Sequence, residues 1–335
     1  MRAFRYERAI DTWDAVGKFR PGTAYLGGGT NLVDLMRLGV AEPDHLVDVS
    51  RLPHDEIEET AVRGDGEVGG GLRVGAAVRN SDLAAHPLVR AHYPMLARAL
   101  PSGASGQIRN MATVGGNLLQ RTRCTYFQDP SMPCNKRVPR SGCPAVSGDH
   151  ENLAILGHSA GSAVECVATH PSDMAVALTA LDARVHSSGP GGTRVIPMPG
   201  LHRLPGSEPG RDTVLEPGEL ITAVELPPPP VGRSAYRKVR ERASFAFALV
   251  SVAALLDVAD DGTVRTCRVA VGGVAHVPWR AFSAERAMAG VQATAASFRR
   301  AAEEELRNAV PLERNRYKVT LARNLIAASL EELVP

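Results

Sequence analysis

The sequence predicts an α+β fold of more than one domain, and three observations carry that expectation. A strand-helix-strand rhythm opens the chain, a run of four prolines at Pro227–Pro230 interrupts it, and a long apolar run followed by two helical patterns closes it. The chain has 335 residues, more than one hydrophobic core usually serves.

The opening rhythm lies in residues 1 to about 58: the apolar segment TAYLGGG, the amphipathic stretch TNLVDLMRLG and then LVDVS, a small α/β unit. Residues 59–226 form a second region with the strand-like run LRVGAAV, the helical HYPMLARAL, the glycine-rich ATVGGNLLQ, and MAVALTALDARVHSS, which reads as a helix running into a strand. VIPM and LITAVELP add strands near its edge. An aperiodic segment rich in Pro, Gly, Ser and Cys interrupts this region at about 121–168. Four successive prolines continue neither a helix nor a central strand, so a domain boundary belongs there. Residues 231–335 then give SAYRKVRERASFAFALVSVAALLDV, TVRTCRVAVGGV and helical patterns over 283–307 and 313–331, an α+β domain with helices against an antiparallel sheet.

Composition excludes several functions. With 38 basic against 36 acidic side chains the formal charge is only +2 and no basic stripe forms, which argues against a nucleic-acid partner. The longest apolar stretch, Phe245 to Leu256, is shorter than the roughly 20 residues a membrane span needs, and reads as a buried strand or helix. The charged start MRAFRYERAIDTW lacks the apolar centre of a secretory signal, so the chain is not expected to export itself.

Two loops carry candidate binding chemistry. Tyr25-Leu-Gly-Gly-Gly-Thr-Asn-Leu32 sets three glycines between a strand and a helix, where bare N–H groups can approach a diphosphate and Thr30 and Asn31 can add donors. Packing alone explains such turns about as well, and the spacing is not the dinucleotide fingerprint G-x-G-x-x-G. Ala112-Thr-Val-Gly-Gly-Asn-Leu-Leu119 repeats the combination of hydroxyl, paired glycines and amide, as one extended ligand with a diphosphate requires. In Thr169-His-Pro-Ser-Asp173, Ser172 and Asp173 offer partners for sugar hydroxyls; a helix cap is the plainer account of that pair.

The order YLGGGTNL, SGASGQIRNMATVGGNL, THPSDMAVAL, LEPGELI and YRKVRERASFA resembles the FAD-binding subunits and domains of the xanthine dehydrogenase, aldehyde oxidoreductase and carbon monoxide dehydrogenase family, over nearly the whole chain. The resemblance implies a two-subdomain FAD-binding domain of the vanillyl-alcohol oxidase type, followed by a smaller α+β domain of the carbon monoxide dehydrogenase flavoprotein type. It assigns the diphosphate to Leu26, Gly27, Gly28, Gly29, Thr30, Asn31 and Leu32, and the diphosphate and ribityl chain to Ala112, Thr113, Gly116, Asn117 and Leu119, with Gly103 and Ala104 upstream. Asp173 is expected at the adenosine ribose or nearby flavin atoms, Ile221 against the isoalloxazine, and Lys238, or Arg237 if the register shifts by one, near the flavin.

Cys124, Cys134, Cys143 and Cys166 are separated by 9, 8 and 22 residues. Their spacing lacks the close pairs of zinc sites, and a reducing cytosol disfavours disulfides, although neither is excluded. Loops of proline and glycine can instead wrap an iron–sulfur cube, with Arg123, Lys136 and Arg137 offsetting its negative charge. The stretch resembles the insertion of bacterial aldehyde oxidoreductase flavin subunits, where RTRC, MPCNKR and GSGC-like motifs accompany a [4Fe–4S] cluster; 4-hydroxybenzoyl-CoA reductase, whose flavin subunit also carries an inserted cluster, is a second branch. His150 and His158 are minor alternatives as ligands, His170 reads as a cap or core residue, and Cys267, beside Val264, Val269 and Val271, reads as a small core residue.

The resemblance implies electron transfer, with no catalytic acid or base in this chain. Its partners would be a large molybdopterin subunit oxidising an aldehyde or N-heterocycle and a small subunit with two [2Fe–2S] clusters. The expected location is cytoplasmic, or periplasmic after export as a folded complex through a partner's signal. The rivals are a stand-alone FAD-dependent oxidase, which would need substrate residues over the flavin, and a non-enzymatic metal-binding scaffold.

Overall fold

The computed structural model describes residues 1–60 and 70–334; residues 61–69, within the stretch 59–226 read as a second subdomain, and Pro335 lie outside the described residues. The chain opens with β1 (Arg5–Arg8), β2 (Thr23–Leu26) and β3 (His45–Asp48), a parallel sheet in the order β1-β3-β2 with a helix in each crossover. The three charged residues of Arg5-Tyr-Glu-Arg8 hide β1 from a search for apolar runs. They suit an edge strand, where charge blocks further pairing.

The second sheet is antiparallel, in the order β4 (Ile57–Glu59), β5 (Leu72–Gly75), β8 (Leu220–Leu226), β6 (Arg184–Gly189), β7 (Gly192–Pro197). The helix Pro94–Ser102 starts on a proline, which suits a first-turn position with no partner for its missing N–H. It packs beside the helix Asp173–Ala180, whose eight residues are all buried. Between these helices and the sheet lies the largest core, including Tyr93, Leu96, Met174, Leu178 and Val224.

The third sheet, β9 (Arg233–Val239), β10 (Val250–Val258), β11 (Val264–Gly272) and β12 (Trp279–Arg280), is antiparallel, in the order β12-β11-β10-β9. Its apolar run is a strand buried on both faces. Val252, Ala254 and Leu256 meet the helices Ala295–Leu306 and Tyr317–Glu331, while Ala253 and Leu255 join the core of the preceding domain. Two-sided burial explains why β10 reads as a continuous apolar stretch. The same run does not stay buried upstream, since Phe245 and Phe247 are exposed in the loop before β10. A register shift opposite Asp257/Val258 puts Val264 and Cys267 on one buried face, and Cys267 is a core residue whose thiol is pushed up to about 12 by burial.

Among the described residues no helix is long and apolar enough to cross a membrane. The fully buried Lys318 fastens the last helix to the cysteine-bearing segment. Its Nζ donates to the carbonyls of Asn152 (3.1 Å), Leu153 (2.9 Å) and Gly273. With no carboxylate against it, burial pulls this amine down to about 7 from an ordinary 10.5. Between those values the unfolded chain binds a proton that the folded chain does not, so stability rises with pH through the window and is lost as pH falls toward 7. Thermal unfolding of wild type and Lys318→Met at pH 7 and pH 10 is expected to show wild type gaining on the variant at the higher pH.

Candidate cofactor cleft and cysteine cavity

The glycine loop follows β2, and the second loop starts at Thr113, which caps the short helix Val114–Leu118 by accepting from the Gly116 N–H at 3.2 Å. The two loops pack on each other so closely that glycine is required. A Cβ on Gly28 would stand 1.9 Å from the Met111 carbonyl oxygen, and one on Gly27 would be 3.1 Å from Thr113 Oγ1. Gly29 has φ +73°, a left-handed backbone that glycine adopts without strain. The glycines thus serve loop-to-loop packing and an open backbone at once, so the two readings of the sequence are not exclusive.

Two cavities flank this contact. The first, of about 260 Å³, is lined by Gly27, Gly28, Gly29, Thr30, Asn31, Leu32, Thr113, Gly116, Leu119 and Ile221, with Tyr25 and Leu220 beside Ile221. The second, of about 580 Å³, is lined by Gly103, Ala104, Ala112, Asn117, Ser172, Asp173 and Lys238. Thr30, Asn31 and Gly116 border both, so the two form one continuous cleft, within the roughly 300–1,000 Å³ typical of small-molecule sites. Of the residues assigned to a cofactor from the sequence, Leu26 alone lies off the cleft. It ends β2 and packs under Gly29.

Several of these side chains already have partners. Asn31 Oδ1 accepts from the Arg121 N–H at 2.8 Å, tying the first loop to the start of the cysteine segment. Ser172 caps the helix Asp173–Ala180, accepting from the Ala175 N–H at 3.0 Å, and its hydroxyl donates to Asn117 Oδ1, so the capping account of Ser172 holds. Asp173 is buried with both oxygens engaged, by Tyr236 Oη and by Lys238 Nζ at 2.8 Å, and Lys238 also donates to the Ser102 carbonyl at 2.9 Å. Asp173 therefore acts on the cleft chiefly through Lys238 and the Gly103 turn. Burial and the Asp173 charge hold the Tyr236 hydroxyl well above its ordinary value. Arg237 points the other way, half exposed near Glu332. Strand alternation could have found Tyr236, two residues before Lys238 and on the same face.

Removing the Asp173 charge strands a buried ammonium. Asp173→Asn is expected to cost on the order of 3 kcal/mol, as breaking buried pairs does. Urea unfolding of the flavin-free chain checks this, and the Asp173→Asn/Lys238→Met double variant is expected to recover part of the loss.

The four cysteines border one small cavity with Phe127, Lys136, Ala145, Val167 and Ala168, and Cys124, Cys134 and Cys166 are buried. Asn135 knits their loops together: its Oδ1 accepts from the Gly142 N–H at 2.9 Å and its Nδ2 donates to the Glu165 carbonyl at 2.8 Å. Burial pushes the Cys124 thiol up, Cys143 to about 12 and Cys166 to about 11, and the other cysteines add to the rise at Cys143. Among the described residues no three His, Cys, Asp or Glu side chains converge on a point suited to a single metal ion. Four thiols bordering one cavity are the donor set that a group bound by several thiolates would need. Buried Lys136 supplies positive charge, its Nζ held by the Pro209 carbonyl at 2.7 Å and by Asp212. Burial raises the Asp212 carboxyl, but Lys136 and Arg121 outweigh it and hold it at about 2.

The histidines of this segment are structural. His150 Nδ1 lies 3.0 Å from the Ala145 carbonyl while Nε2 accepts from the Arg314 N–H at 2.9 Å, and His158 bridges the Val310 carbonyl and the Ala160 N–H. His170 is buried edge-on against His202, burial keeping it well below its ordinary value. The histidine that reaches a cysteine is His276, from the turn after β11, whose Nε2 lies 3.2 Å from Cys166 Sγ. Its separation of 110 residues from Cys166 left no signal in the sequence.

A two-loop glycine cleft between a small α/β unit and an antiparallel sheet, followed by a sheet-and-helix domain, defines a flavin-binding protein of the molybdenum hydroxylase type. The chain belongs to that family: residues 2–229 match the FAD binding domain in molybdopterin dehydrogenase, and residues 234–333 match the CO dehydrogenase flavoprotein C-terminal domain. It is 48% identical to the aldehyde oxidoreductase FAD-binding subunit PaoB of Escherichia coli, over 99% of this chain and 98% of that protein. It is 27% identical to the glyceraldehyde dehydrogenase medium chain of Sulfolobus acidocaldarius, over 86% of this chain and 81% of that one. Its fold matches a chain of the carbon monoxide dehydrogenase from Hydrogenophaga pseudoflava with a TM-score of 0.75 at 24% identity, covering 99% and 97% of the two chains. The chain is thus an FAD-binding subunit of a molybdenum-dependent oxidoreductase.

Proposed function

We propose that this subunit relays electrons within a three-subunit molybdenum aldehyde oxidoreductase and that Cys124, Cys134, Cys143 and Cys166 hold a [4Fe–4S] cluster beside its FAD. The observation that carries the reading is the position of Cys124, whose residue borders both the cleft and the cysteine cavity. Cleft and cavity therefore meet at Cys124, in the larger part of the cleft that Asn117 and Lys238 also line, which suits a cluster beside a bound FAD. The similarity to an aldehyde oxidoreductase FAD-binding subunit along the full chain supports the substrate class.

FAD, when bound, would supply the redox chemistry that links [2Fe–2S] clusters of a partner subunit to an external acceptor. The chain's own residues orient it and exclude water. In this reading the glycine loops hold the diphosphate, Ile221, Leu220 and Tyr25 form an apolar wall for the isoalloxazine, and Lys238, fixed by Asp173 and Ser102, brings positive charge to the other end of the cleft. Arg123 stacks on Phe247, 5.1 Å from the ring centroid, in the lining of the cleft. Its guanidinium is pulled below its ordinary value by burial, while Asp34 opposes that effect.

Purification of the native complex, with mass spectrometry of its components, tests the assignment. A large molybdopterin subunit and a small subunit with two [2Fe–2S] clusters are expected alongside this chain. A chain that purifies alone and whose flavin is reduced directly by an alcohol or phenol would favour a stand-alone oxidase.

A further inference from the structure

We propose that His276 is a positioning residue that raises the reduction potential of the cluster by donating its Nε2–H to the Cys166 thiolate. The inference rests on the cluster reading above and deepens it. Nε2 stands 3.2 Å from Sγ, within range for a hydrogen bond to sulfur, and His276 is 8% exposed. A thiolate bound to iron carries no proton and can only accept, so the hydrogen in this contact belongs to the imidazole. Nδ1 is buried with no hydrogen-bond partner in the structure, which suits a ring whose single hydrogen is on Nε2.

The imidazole is delivered by a fixed turn. The Val274 carbonyl accepts from the Ile155 and Leu156 N–H groups at 2.9 and 3.0 Å, the Ala275 carbonyl accepts from the His170 N–H at 2.9 Å, and the Gly273 carbonyl accepts from Lys318. The C-terminal domain therefore clamps the cysteine segment and presents one side chain to its fourth cysteine. A buried N–H···S bond draws electron density from the ligating sulfur and favours the reduced, more negative cluster, a standard lever on iron–sulfur potentials. Leucine has about the size of the imidazole but no donor, whereas glutamine keeps an N–H.

The test is an EPR-monitored redox titration of the anaerobically purified complex, with the flavin followed by absorbance in the same sample. His276→Leu is expected to shift the cluster midpoint to lower potential while the FAD midpoint and the iron per chain stay at wild-type values, and His276→Gln is expected to return toward wild type. An unshifted cluster midpoint in His276→Leu, or a shift in His276→Gln as large as in His276→Leu, would overturn the proposal. Pulsed EPR of wild-type protein labelled with nitrogen-15 histidine supplies a readout that does not depend on a variant's folding: one weakly coupled nitrogen at the reduced cluster is expected, and its absence overturns the proposal. Wild-type protein without iron would instead refute the cluster reading itself.

Discussion

Gly28→Ala is expected to lower FAD affinity by roughly a hundredfold, about 2.8 kcal/mol, and to yield a nearly colourless protein. The added Cβ would meet the Met111 carbonyl oxygen at 1.9 Å and its carbon at 2.7 Å. Both are backbone atoms, so no side-chain rotation relieves the clash, and the two loops must part. The loops form the cleft only when they touch, since Gly27, Thr113 and Gly116 meet across the same contact. Most of the hydrophobic core lies away from this contact, around Leu96, Leu178 and Val224, so the fold is expected to survive. Fluorescence titration of the flavin-free variant with FAD, beside circular dichroism, checks both halves. Wild-type affinity in Gly28→Ala would show that the loops do not hold the cofactor. Gly106→Ala is a useful control, because a Cβ there meets nothing within 4 Å.

Cys166→Ser is expected to abolish the cluster, with iron per chain falling from about four to below about one, while FAD remains bound. Cys166 lies 5% exposed in the small core around Phe127 and Val167, on the side of the cavity that His276 approaches. Serine replaces a thiol that burial holds protonated up to about 11, and which must lose its proton to bind iron. An alkoxide is far harder to form in the same dry site. Iron and sulfide analysis of anaerobically purified protein checks this, and iron at the wild-type level in Cys166→Ser would remove that residue from the ligand set.

How much of this was legible in the sequence depends on how local each feature is. The glycine loops, the Ser172 cap and the alternating faces of β9 are set by residues within a few positions of one another, so they could be read directly. β1 escaped because three of its four residues are charged. The apolar run from Phe245 to Leu256 reads as one element, yet only its part from Val250 is a strand, because Phe245 and Phe247 precede the point where the helices cover the sheet. The clash that fixes Gly28 involves Met111, and the donor at Cys166 comes from His276. Both depend on where distant segments meet, which no spacing along the chain encodes. The four cysteines of the inserted segment border one cavity, while the fifth belongs to the C-terminal core.

Cys124 borders both the FAD cleft and the cysteine cavity, so this subunit is expected to hold both groups. Combined flavin, iron and sulfide analysis of the anaerobically purified native complex, separated into its subunits, tests it most directly. About one FAD and about four iron and four sulfide are expected in this subunit. One FAD with no iron would leave the flavin subunit standing and contradict the claim that the four cysteines bind a cluster.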